Sequence, residues 1–482
     1  MDSALPAMSA LEAVNRCIDL YMQYIFPTAP FVHEPTLRGA AAHLFSRTGS
    51  SEFFRCRPSC HEEVAEMRSF ALVTAVCASI ASVVPDTLLP SRTSIAGPCL
   101  SASRNMMKVF EEFDVEYPSS DSIATRLLHT TALQHTTGKA CLSNYTLGQA
   151  AYLAQNMRLY SEEALKRHNP LEAQLLRNLF WHMYAADKAA TCLGSRPISL
   201  HELLFNETMT VCPDTTVSIS LFDTARPCYD RTFESRLLVG FYFAPRLWSK
   251  AASLIFGIKA YRRGDQASTK AQLTQAYLEF IAILDDLPYW LQVSKIIVST
   301  NDSEDVQFQK TAFWVQRCTI LVVYQCLRLV ILQQSIENEV EDIMGLRGQD
   351  LTTSMIKIDM IRDFIQTLDD IPFVYLQVKG EPTIERIRWV GSVILELLDS
   401  RTDKMIMSDD SMDYVPLKER TDDVLRSNLF RIQGTRGTSK LYQDMMWLRT
   451  QKFLFKALLP YGMACILTEG DPAFGSASYM SR

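Results

Sequence analysis

The chain has 482 residues, and its 48 Lys and Arg against 54 Asp and Glu give a net charge of −6. With 48% hydrophobic and 21% charged residues it has the composition of an ordinary globular protein. A protein that grips phosphate backbones unaided carries a basic domain or stripe, and none stands out here, which argues against autonomous nucleic-acid binding.

The length sets a soft prior of about three domains, which one large core can override. The N-terminus, MDSALPAMSALEAVN, has no basic n-region or signal-like apolar core. Residues 9 to 24 place Leu11, Val14, Cys17, Ile18 and Met22 at helical spacing. The helix runs into YIFPTAPFVHEPTLRGAA, an extended Pro-containing passage, and a new helix starts after Pro35. His33, in this loop, reads as structural rather than catalytic. Cys56 and Cys60 with adjacent His61 form a single half-site; a zinc site needs a second, and the other cysteines among the 12 are scattered.

Glu63–Val84 reads as a long buried helix, Pro85 to Pro98 as a loop, Leu100–Phe113 and Ser120–Ala140 as helices. The apolar runs Phe70–Val84 and Thr319–Leu332 are too short to span a bilayer, the second being interrupted by Arg328, so both read as core helices and no membrane partner is expected. His129 and His135, six apart, fall on different helix faces, which disfavours shared metal ligation. Thr146 and Gln149 match a capping box opening LGQAAYLAQNMRLY, whose Gly148, Ala150, Ala151 and Ala154 invite close approach of a neighbouring backbone.

The clearest helix follows, in NPLEAQLLRNLFWHMYAADKAATCLGSRP, residues 169–197. Asn169 suits the N-cap, Pro170 the first helical position, Glu172 the capping-box acid, and Gly194 the left-handed stop. Leu176, Phe180, Met183 and Ala190 share an apolar face with Asp187. A buried carboxylate is costly unless paired, and Arg196 is the nearest candidate partner; the alternative is a core helix with a solvated Asp at its edge. This helix and the preceding one are expected to form an antiparallel αα-hairpin.

Three pieces in this order resemble the fungal-specific transcription factor domain, the middle homology region of binuclear zinc-cluster regulators. IFPTAPFVHEPTL is similar to the family's early Pro-and-His segment, YTLGQAAYLAQNMRLY to its Gly-x-Ala helix, and RNLFWHMYAADKAATCLGSRPISL to its Arg-x-x-Phe-Trp helix with a later Asp and a terminal Gly-Arg-Pro. By that match Arg177, Phe180, Trp181, Asp187, Gly194, Arg196 and Pro197 occupy signature positions with structural roles. The chain departs from the pattern in Leu175-Leu176-Arg177, where the family often has a run of arginines, and in Ser195 between Gly194 and Arg196.

The resemblance covers roughly residues 10 to 300. It implies transcriptional regulation in the nucleus, of metabolic or secondary-metabolite genes. It also implies a domain acting through intramolecular inhibition, dimer contacts or a small-molecule effector. The family's six-cysteine zinc cluster is not in this sequence, so no cofactor is expected within it. DNA is reached only indirectly, through a partner transcription factor or an N-terminal domain beyond this sequence.

After Leu200 come a loop with Pro213 and Pro227, then helices near Phe233, Arg246–Tyr261, Gln272–Leu284, Ala312–Gln333, residues 355–368 and Pro382–Leu398. LDDLPYWLQV and LDDIPFVYLQV end two of them with the same Asp-Asp-apolar-Pro stop. The fold expected is all-α: a single large multi-helix domain of packed antiparallel helix pairs over residues 1–400. A polar connector (401–440), a closing helix (441–470) with Met445, Trp447 and Phe453, and a disordered tail (471–482) follow.

A competing reading is an all-α metal-dependent lyase of terpenoid-synthase type. Asp285-Asp286 and Asp369-Asp370 both lack the third acid of the Asp-Asp-x-x-Asp cluster. Asn301-Asp302-Ser303-Glu304 is too compressed for ligands that must share a helix face. Zinc-protease, nucleophile-elbow, Walker and dinucleotide motifs do not occur, so no catalytic residue is assigned and no enzyme is expected. A third possibility is an interaction protein that does not bind DNA.

Overall fold

The computed structural model describes residues 9–46, 61–90, 92–194, 198–200, 202, 219–226, 228, 231–264, 269–346 and 350–393. The expected connector, closing helix and tail lie outside them, as do Cys56, Cys60, Arg196 and Pro197. Among the described residues every regular element is helical, with no strand.

The chain opens on α1 (Ala10–Leu20), started by a full capping box: Ser9 Oγ accepts from Glu12 N at 3.2 Å and the Glu12 carboxylate from Ser9 N at 2.8 Å. A wider π turn (Tyr21–Ile25) and a tighter 3₁₀ turn (Phe26–Thr28) carry the chain into the Pro-containing segment, and α2 (Glu34–Ser46) follows. Next come α3 (His61–Val83) and α4 (Arg92–Glu116), which pack along their lengths. α4 contains Pro98, so the helix begins ahead of the proline rather than after it; the backbone departs from helical geometry at Phe110. α5 (Ser120–Thr137) ends at Gly138 with φ +64°, and α6 (Ala140–Asn156) returns directly alongside it.

That tight turn corrects two expectations. Thr146 is a buried interior residue of α6 whose hydroxyl bonds the Leu142 carbonyl at 2.9 Å, so no capping box starts there. The hairpin partner of α6 is α5, not the 169–192 helix. Gly148 is exposed with open space beyond its Cα, while Ala150 and Ala154 are buried as expected.

After the short α7 (Glu162–Leu165), α8 (Pro170–Cys192) packs on α5 and α9 (Arg231–Arg262). α10 (Lys270–Ile281), the short α11 (Val293–Ile296), α12 (Glu304–Glu337), α13 (Asp350–Asp370), α14 (Phe373–Gln377) and α15 (381–393) complete the described chain. The spine is α8–α9–α12–α13, each helix packed against the next. Trp314 of α12 stacks on Tyr375 of α14 at 5.7 Å between ring centroids. One contiguous apolar core runs from Cys17 to Val393. α3 and α12 have the length and apolarity of membrane spans, but 67% and 72% of their most apolar windows are buried against other helices.

Candidate functional site

α8 begins and ends as its sequence dictates. Asn169 Oδ1 accepts from Glu172 N at 2.9 Å, Pro170 takes the first position, and Gly194 has φ +74°. Glu172 does not complete a capping box. Its two oxygens instead accept from the backbone N and hydroxyl of Ser120, each at 2.6 Å, at the start of α5. Arg177 grips the Glu162 carboxylate with Nε at 3.0 Å and Nη2 at 2.6 Å, fastening α7 to α8. Phe180 and Trp181 are buried edge-to-face on each other at 5.3 Å.

Asp187 is buried, and its carboxylate accepts from Ser199 N at 2.9 Å and Leu200 N at 2.8 Å. Backbone amides of the chain leaving α8 thus satisfy it. The expected partner, Arg196, lies outside the described residues. Lys188, unremarked in the sequence, is fully buried; its Nζ donates to Glu202 at 2.7 Å and lies 4.8 Å from the Tyr184 ring centroid. The Tyr184 hydroxyl donates to the same carboxylate. Burial pulls the Lys188 ammonium down to about 8.

A convergence of polar side chains from several helices surrounds residues 26–31, FPTAPF. Pro27 and Pro30 have no N–H, so the carbonyls of this buried segment are what need partners. The Tyr21 hydroxyl donates to Ala29 O at 2.7 Å. Gln316 Nε2 on α12 donates to Pro27 O at 2.7 Å and to Leu237 O on α9 at 2.6 Å. Asn178 Nδ2 on α8 donates to Pro30 O at 3.0 Å while its Oδ1 accepts from the Tyr242 hydroxyl at 2.8 Å. His182, also on α8, bonds the Thr28 backbone, and Phe31 meets its ring edge-on at 4.7 Å. Lys379, between α14 and α15, donates to Thr28 Oγ1 at 2.9 Å.

Burial pulls His182 to about 4, leaving it neutral at pH 7, and pulls Lys379 to about 7. Amine, imidazole and amide are all spent on fixing one backbone segment. The arrangement specifies a unique packing of five parts of the chain; its chemistry is structural.

The next residues of the segment are held as firmly. Glu34 is buried; its Oε1 accepts from Arg38 Nε at 2.9 Å and Arg226 Nη1 at 2.6 Å, and its Oε2 from Asp223 N at 3.1 Å. Glu234 accepts from Leu221 N at 2.6 Å and from the Ser220 hydroxyl at 2.7 Å. Two buried carboxylates therefore hold the 219–226 loop. His33 Nδ1 lies 2.7 Å from Thr36 Oγ1 across the first turn of α2.

The paired acids sit at separate helix ends. Asp286 pairs with Arg246 at 2.7 Å, Asp302 with Lys310 at 2.7 Å, and Asp370 accepts from Gln366 at 2.8 Å. Ser303 caps α12. His129 and His135 face different neighbours: His129 Nε2 meets Ser103 Oγ at 2.7 Å, and His135 Nε2 accepts from Glu381 N at 2.9 Å. Because Ser103 donates its hydroxyl to Ala71 O at 2.6 Å, His129 carries its proton on Nε2. Among the described residues no three His, Cys, Asp or Glu are grouped to hold a metal ion.

Two adjoining clefts of about 260 and 430 Å³ share Lys259, Gln334 and Glu337 at the C-terminal ends of α8, α9 and α12. Cys192 to Gly194 and Trp389 line the first; Arg262 and Arg263 line the second. The first falls just below the roughly 300–1,000 Å³ of ordinary small-molecule sites.

No protein-family model matches this chain, and no curated protein matches it. The resemblance to the fungal regulatory domain therefore stands on the three quoted segments alone.

Proposed function

We propose that this chain is the regulatory domain of a fungal transcription regulator that reaches DNA through a partner or through a zinc cluster outside this sequence, and that it works in the nucleus. The observation that supports the reading is that two of the three resembling segments are bonded to the third, which is α8 and its exit. FPTAPF is bonded by Asn178 and His182 of α8, and α6 reaches the exit of α8 through Gln155 Nε2, which donates to Ser199 O at 3.2 Å. Each of the other two segments thus touches α8 or the chain leaving it, at different points along its length, with Arg177, Phe180, Trp181 and Asp187 each in a scaffolding role. The clefts at the ends of α8, α9 and α12 are the candidate place for a small effector; Lys259 and Arg263 share their lining with Glu337, and Arg262 already pairs with Glu339 at 2.9 Å.

Duplex-DNA titration of the purified chain at physiological salt tests the indirect route. Binding no tighter than that of an acidic control protein is expected, with DNA retention restored by a DNA-reading partner. Tight binding by the chain alone overturns it.

A further inference from the structure

α6 turns one face to solvent. Cys141, Asn144, Tyr145, Gly148, Tyr152 and Gln155 are exposed and recur at spacings of three and four, which sets them in one stripe along the helix. Ser143, Thr146, Ala150, Leu153 and Ala154 are buried on the other side. The rings of the stripe are well out in water, Tyr145 at 64% and Tyr152 at 56% exposure. None of the 17 residues of α6 is charged, in a chain where 21% are. Gly148 lies between the two tyrosines. A glycine inside a helix weakens it, and Gly148 does not have the left-handed backbone that would require one. What it does offer is a place where another backbone can come close, and nothing among the described residues lies within 4 Å of a Cβ added there.

We propose that this stripe is a self-association surface, covered by α6 of a second copy of the chain packed antiparallel across Gly148. The stripe reads the same in both directions: Cys141 and Gln155 lie equally far on either side of Gly148, and Tyr145 and Tyr152 nearly so. A two-fold axis at Gly148 therefore sets each Tyr145 beside Tyr152 of the other copy. Such a contact repeats every charge on both sides, so a chain of net charge −6 meets itself without repulsion only through a neutral face. In this stretch charges return at Lys139 and Arg158, about 14 Å from the crossing along each helix, where crossed helices have diverged. The close approach that Gly148 permits is thus made by the second copy. A single helix pair is smaller than the roughly 1,600 Å² of a standard interface, so the dimer is a weak one, forming at about micromolar concentration and above.

Sedimentation equilibrium of the purified full chain tests this. A monomer–dimer equilibrium is expected between about 1 and 200 μM. Tyr145→Glu, which places a carboxylate in the neutral face of both copies, abolishes it. Gly148→Ala weakens it about tenfold, yet raises the urea midpoint at concentrations where the chain is monomeric, which separates a lost contact from a lost fold. Gly148→Cys brings two thiols to the crossing and yields a disulfide-linked dimer under mild oxidation. The native Cys141 pair, about 20 Å apart in this register, stays unlinked. A chain that is monomeric throughout the range, a dimer unmoved by the Tyr145 and Gly148 substitutions, or linkage through Cys141 overturns the proposal.

Discussion

A methyl group on Gly240 would sit 2.2 Å from Gln316 Oε1, inside the side chain that bonds both Pro27 and Leu237 carbonyls. Gly240→Ala therefore displaces a polar link at the centre of the molecule and is expected to cost roughly 1–3 kcal/mol. Gly148, exposed on α6 with nothing within 4 Å of an added Cβ, gives the opposite sign: Gly148→Ala is expected to gain about 0.5–1 kcal/mol from helix propensity. Urea unfolding of both variants checks the pair, and equal effects would place Gly240 wrongly.

Lys379 carries a pH signature. Its folded value near 7 lies below the ordinary 10.5, so between these values the unfolded chain holds a proton that the native chain gives up. Stability then rises with pH from about 7 towards 10, and the penalty is complete and constant below that window. Against Lys379→Met, the wild type should gain up to about 1.4 kcal/mol per pH unit in this range. Parallel stability curves at pH 7, 8 and 9 would contradict a desolvated ammonium at this position.

At the scale of elements, Glu172 serves two helix starts. It lies in the first turn of α8, where its charge suits the helix dipole, and it accepts both the backbone N and the hydroxyl of Ser120 at the start of α5. Glu172→Ala is expected to cost about 1–3 kcal/mol in urea unfolding and to raise amide exchange in the first turn of α5. Loss of protection confined to α8 would show that the cross-helix bonds contribute little.

The long helices α3, α8 and α12 were legible from their continuous apolar surface, and α8 also from its end signals; the start expected at Ala312 falls inside α12, which Ser303 caps and which begins at Glu304. The start of α6 was not legible: Lys139 offers no side-chain cap, and the Thr146–Gln149 pattern imitates one inside the helix. Pro98 misled in the same way, since a proline only six residues into α4 removes one early hydrogen bond without ending the helix.

Across the whole molecule, the all-α class and the apolar faces could be read from the sequence, whereas the polar centre could not. Gln316 and Pro27 are 289 residues apart, and Lys379 and Thr28 are 351 apart, so no local pattern links them. The one available hint was chemical: two prolines in a segment too apolar to be exposed leave carbonyls that must find side-chain donors. Asp187 was recognisable as a buried carboxylate, but whether it takes a guanidinium or backbone amides depends on the path of the chain after Gly194. What unites these features is a scaffold that spends its polar groups on holding its own backbone.

The most direct test fuses residues 1–482 to a heterologous DNA-binding domain upstream of a reporter in a fungal nucleus. A regulatory domain shifts reporter output relative to the DNA-binding domain alone, and Gly240→Ala, which disturbs the polar centre, weakens that shift at equal protein level. Unchanged output from a folded, nuclear fusion would contradict the regulatory reading.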